Sequence, residues 1–87
     1  MHTRKFNRHA NMNKLTMTTV MYLINYSLIE GDKTLTNMLY GLFDGYDYTD
    51  AIMEIANKMD KRSVEYGFID ALCSEVKSYP DGETELF

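Results

Sequence analysis

Residues 15–29, LTMTTVMYLINYSLI, carry no charged side chain, and the reading of this stretch decides the fold. Met17, Val20, Met21, Ile24 and Leu28 recur at the three- and four-residue intervals that line one face of an α-helix. Leu15, Tyr22, Leu23, Tyr26 and Ile29 widen that face around most of the circumference, leaving a thin polar line of Lys14, Thr18 and Asn25. The run is shorter than the roughly 20 apolar residues of a membrane-spanning helix, and its Thr and Asn side chains suit lipid poorly. It predicts a first helix from Met12 to Glu30 that needs cover on several sides, from its own bundle or from a second copy of the chain.

Downstream, Gly31 is suited to close that helix in the left-handed conformation, and Asp32 or Thr34 to cap the next. Leu35, Met38, Leu39, Leu42, Phe43 and Tyr46 then repeat with helical period until the Asp44-Gly45 stop. Asp47 or Thr49 can start a third helix that buries Tyr48, Ile52, Ile55, Ala56 and Met59 and carries Lys58, Lys61 and Arg62 at its C-terminal end. A fourth, from about Ser63 to Ser78, is expected to bury Val64, Phe68, Ala71, Leu72, Val76 and Tyr79 before Pro80 ends it; it can also be read as continuous with the third. Gly67 inside that segment suggests a close helix–helix approach, because an exposed helical Gly costs about 1 kcal/mol relative to Ala.

The expected fold is therefore all-α. It is a small bundle of three or four helices over residues 12–80, with a flexible basic N-terminal arm over 1–11 and an acidic tail over 81–87. At 87 residues there is room for one domain. Charge is divided between its ends: Arg4, Lys5, Arg8 and Lys14 lie in an acid-free first fourteen residues, and all thirteen acids follow. With one cysteine, no intramolecular disulfide is possible, and a chain without a secretory leader or membrane span is expected to be cytoplasmic.

Catalytic and metal-binding patterns do not emerge. His2 and His9 both fall in the arm, away from any fixed nucleophile or carboxylate. Cys73 lies between Asp70 and Glu75, acids that disfavour a thiolate, and reads as packed and inert. Asp44, Asp47 and Asp50 lack the alternating ligand spacing and bidentate Glu of a calcium loop. A helix-turn-helix around Gly45 fails because residues 48–57 present Asp50 and Glu54 with no Lys or Arg to meet phosphates. No cofactor is implied.

What remains is surface chemistry. Asp44, Tyr46, Asp47, Tyr48, Asp50 and Glu54 form an acidic, Tyr-bearing segment suited to a partner with a basic surface, since Tyr supplies contact area at low entropic cost. The expected function is a non-enzymatic regulatory or inhibitory adaptor, with the composition of phage or mobile-element accessory proteins and with homodimerisation through the first helix. The alternative is a nucleic-acid-associated regulator using Arg4, Lys5, Arg8 and Lys14 on phosphates and Phe6 to stack on a base. At the end of the chain, Glu83-Thr84-Glu85-Leu86-Phe87 partly resembles the short peptide with which bacterial replication proteins dock into the sliding clamp. Leu86 and Phe87 match its apolar pair, which would make them protein-binding residues; Glu83 and Thr84 depart from its Gln and Leu.

Overall fold

The computed structural model describes residues 3–8 and 12–82. Among them stand four helices, α1 (Lys14–Glu30), α2 (Lys33–Phe43), α3 (Thr49–Ala56) and α4 (Val64–Lys77), so the fold is an all-α bundle. Each helix packs on the next in sequence, and α4 closes back onto α1.

Short polar side chains set every helix start by accepting the N–H groups that have no partner within the helix. Asn13 accepts from Thr16 N at 2.8 Å, Asp32 from Leu35 N at 3.0 Å and Ser63 from Tyr66 N at 3.1 Å. At α3 the Asp47 carboxylate takes the Thr49 N–H at 3.0 Å. Gly31, at φ 75°, closes α1 by donating to the Leu28 carbonyl. The third and fourth helices are separate: α3 stops at Ala56, and Asp60 turns the chain by accepting from Arg62 N at 2.9 Å. Lys58, Lys61 and Arg62 therefore lie in the connecting loop rather than on the end of α3.

The core is built from Val20, Leu23 and Ile24 of α1, Leu35, Leu39 and Leu42 of α2, Ile52 and Ala56 of α3, and Ile69, Leu72, Cys73 and Val76 of α4. Two helices face differently from expectation. On α1, Met17, Met21 and Leu28 point to solvent, while Thr16 and Ser27 join Val20, Leu23 and Ile24 inside. Because α1 is apolar nearly all round, its own pattern barely favours one face, and its neighbours choose. The Ser27 hydroxyl sits 2.5 Å from that of Thr36 on α2, and Thr16 donates to Glu75 of α4 at 2.7 Å. On α4, Ile69 and Cys73 are inside, whereas Val64, Phe68 and Ala71 are exposed.

Gly67 is exposed, and a Cβ there would meet nothing within 4 Å, so it does not mark a close helix approach. Gly67→Ala is accordingly expected to stabilise the protein by about 0.5–1 kcal/mol, read as a higher urea midpoint at unchanged slope.

The largest departure is at the N-terminus. Of the segment expected to be a free arm, residues 4–7 lie as an extended strap between the α2–α3 turn and the chain leaving α4. Phe6 N donates to Gly45 O at 2.8 Å, Asp47 N to Arg4 O at 2.7 Å, Asn7 N to Pro80 O at 2.9 Å and Gly82 N to Lys5 O at 3.1 Å. Phe6 is only 3% exposed, with its ring 5.3 Å from that of Tyr79. Gly82 permits this approach, since a Cβ there would lie 2.8 Å from the Phe6 carbonyl oxygen. The folded unit therefore extends beyond residues 12–80 at both ends, because the single apolar anchor of the arm finds a pocket that only the assembled bundle provides.

Candidate interaction surfaces

The acidic Tyr-bearing segment divides into structural and outward-facing members. Asp47 is structural. Besides the Thr49 N–H it accepts the Thr49 hydroxyl at 2.5 Å and the Arg4 guanidinium at 2.9 Å. Partial burial pushes its carboxyl up, but the Thr49 bonds and Arg4 together outweigh this and hold it below the usual carboxylate range. Tyr48 is half-buried over Gly41, where a Cβ would collide with its ring. Asp44, Tyr46, Asp50 and Glu54 face outward. The Tyr46 ring lies 5.9 Å from that of Tyr48 and carries the Lys5 ammonium 4.6 Å from its centroid, while Asp50 meets Lys77 at 2.6 Å.

The basic residues of the alternative reading are likewise split. Arg4 is held inside the fold's closure. Its guanidinium donates to the Val76 and Tyr79 carbonyls at 2.9 and 2.8 Å as well as to Asp47, and reaches Asp81 at 3.2 Å. Phe6 cannot stack on a base without leaving its pocket. Lys5 and Lys14 are exposed and Arg8 is half-exposed, leaving three cations for phosphate. His2, His9, Leu86 and Phe87 lie outside the described residues.

A third surface is apolar. Leu15, Tyr22 and Ile29 follow one another at seven-residue intervals along α1, and Val64 and Phe68 of α4 run beside them. Tyr22 joins the two helices, with its ring edge-on to Phe68 at 5.3 Å and its hydroxyl donating to Glu65 at 3.0 Å. Next to it α1 and α4 enclose a groove of about 220 Å³ lined by Leu15, Thr19, Phe68, Ala71 and Leu72, with Asn13, Thr16 and Glu75 as its polar end. The charge-free run signalled exposed apolar area, but not which side would face out.

Within the core, burial pushes the Cys73 thiol up to about 12, and its sulfur lies 3.8 Å from the Thr49 carbonyl oxygen. Burial and a hydrogen bond to Glu75 likewise raise the Tyr79 phenol to about 12. Among the described residues no three His, Cys, Asp or Glu side chains converge as metal ligands, and no helix is long and apolar enough to cross a membrane. No protein-family model, curated protein or solved structure matches the chain.

Proposed function

We propose that this chain is a non-enzymatic adaptor, regulatory or inhibitory in effect, that binds a protein partner with a basic surface through Asp44, Tyr46, Asp50 and Glu54. The observation that carries this reading is the strap beneath the turn. Residues 4–6 hydrogen-bond to Gly45 and Asp47, and Arg4 pins Asp47, so the strap fixes the turn that carries Asp44 and Tyr46 and leads into the helix bearing Asp50 and Glu54. A preorganised contact surface loses little conformational entropy on binding, which leaves more of its contact energy as affinity. Complementary charge on the partner would speed encounter and select against acidic competitors. The nucleic-acid alternative is weaker because Arg4 and Phe6, two of its five residues, are committed to the fold.

The test is capture from native lysate, with and without nuclease, using the parent and an Asp50→Lys, Glu54→Lys variant. Both side chains are exposed, and an exposed, solvent-screened ion pair such as Asp50–Lys77 adds little to stability, so the variant should melt close to the parent. A nuclease-resistant protein should be retained by the parent and reduced about tenfold in the variant. Equal retention by both would remove this surface as the interface.

A further inference from the structure

The apolar face of α1 and α4 carries a pattern that the acidic turn does not explain. Leu15 and Ile29 are 75% and 83% exposed, among the most solvent-facing large apolar side chains described, and Tyr22, 43% exposed, lies midway between them. Lys14 and Glu30, the only charged residues of α1, also flank Tyr22 at equal distances along the helix. The face is thus symmetric about Tyr22 in apolar character and antisymmetric in charge.

We infer that this face binds a second copy of the chain, with the two α1 helices antiparallel and the two-fold axis at Tyr22. The occupant follows from the arithmetic of the pattern. Reversal about Tyr22 brings Ile29 of one copy opposite Leu15 of the other and sets Tyr22 against itself. It also places Lys14 at the same end as the other copy's Glu30. A parallel pair in register would instead gather like charges at both ends.

Shape agrees with charge. Tyr22 meets Glu65 and Phe68, and Thr16 meets Glu75, so α4 runs antiparallel to α1 and the groove lies at the Leu15 end. At the other end Ile29 projects. The antiparallel register seats each Ile29 in the groove between Leu15, Thr19, Phe68 and Ala71 of the other copy, a projection and a hollow matched twice by one symmetry operation. Met17, Met21 and Leu28 lie on the other flank of α1 and take no part. None of the acidic-turn residues is used, so the inference stands independently of the adaptor reading.

Sedimentation equilibrium on the full chain should give twice the 10.1 kDa mass of one copy at high protein concentration. Ile29→Lys and Leu15→Glu should each weaken association about a hundredfold with helical circular dichroism retained, because each buries a charge at the end where the other copy already carries one of the same sign, Lys14 or Glu30. Met21→Glu should leave the dimer mass unchanged. Orientation is read with a short thiol-directed cross-linker, the buried Cys73 being shielded. Leu15→Cys chains should link to Ile29→Cys chains in a mixture but not to themselves, and Tyr22→Cys chains should link to one another. A monomer mass for the parent at high concentration, or Leu15→Cys chains linking to themselves, would overturn the proposal.

Discussion

Phe6→Ala is expected to lower the stability of the fold by about 3 kcal/mol, the low end for an aromatic ring removed from a packed site. Phe6 is the apolar side chain that joins the strap to the bundle. Its ring is buried against Tyr79, and Tyr79 is itself held by Glu75, which also accepts from Thr16. Removing the ring leaves a cavity at the place where the strap, the end of α4 and the start of α1 meet. Relaxation is restricted, because hydrogen bonds hold the strap on both edges and the space beside the Phe6 carbonyl at Gly45 and Gly82 is too small even for a Cβ. For a domain of this size, with a total stability near the bottom of the usual range of about 5–15 kcal/mol, that loss is a large fraction. Urea unfolding followed by circular dichroism provides the measurement, with the parent and variant slopes compared. A change under about 0.5 kcal/mol, the size of an ordinary surface substitution, would mean that the strap is not part of the cooperative fold.

Arg4→Ala should cost about 2 kcal/mol, through loss of charge-assisted hydrogen bonds at the end of α4. The guanidinium adds a charged donor to the Val76 carbonyl, which also accepts the Tyr79 N–H at 3.1 Å, and to the Tyr79 carbonyl just past the helix, and it favours the negative end of the helix dipole. Its side chain is 31% exposed, so solvent screens the Asp47 and Asp81 pairs and the figure stays well below that of a fully buried arginine. Arg4→Lys should recover little of the loss, since one ammonium cannot span the carbonyls and Asp47 at once. Asp47, held by its Thr49 hydrogen bonds and then by Arg4, also sets an acid dependence. Because the Asp47 carboxyl is held below its ordinary value in the folded state, its contribution is complete above about pH 4, the unfolded value, and is lost as pH falls through the folded one. Asp47→Asn should therefore flatten the decline in stability below about pH 4, while lowering stability near neutrality. An unchanged acid decline would show that other carboxylates carry it.

The helices were legible because their signals are local. Gly31, Asp32, Ser63 and Pro80 act on backbone groups a few residues away, and the stripes of α2 and α3 are narrow enough to fix the buried side: Leu35, Leu39 and Leu42 are inside, as are Ile52 and Ala56. The stripe of α4 misled by part of a turn, since Val64, Phe68 and Ala71 offer nearly as good a face as Ile69 and Cys73. For the candidate site, the exposed positions of Asp44, Tyr46, Asp50 and Glu54 agree with their reading as surface residues. Asp47 at the start of α3 and a buried side for Tyr48 were legible too, but their contacts with Arg4 and Gly41 were not, since spacing along the chain does not connect those residues.

By itself the sequence determined an all-α chain with its helices close to their observed places, an inert buried thiol at Cys73 and a charge-free α1 too short to span lipid. Those properties follow from period, capping and composition, which act within one or two helical turns. Only the tertiary structure decided which way α1 faces and what becomes of Arg4 and Phe6. An almost uniformly apolar helix has no strong preference of its own, so its orientation is set by the neighbours it packs on, the hydrogen bonds to Thr36 and Glu75 across the bundle among them. A strap with one aromatic anchor has nowhere to bind until the α2–α3 turn and the end of α4 have come together.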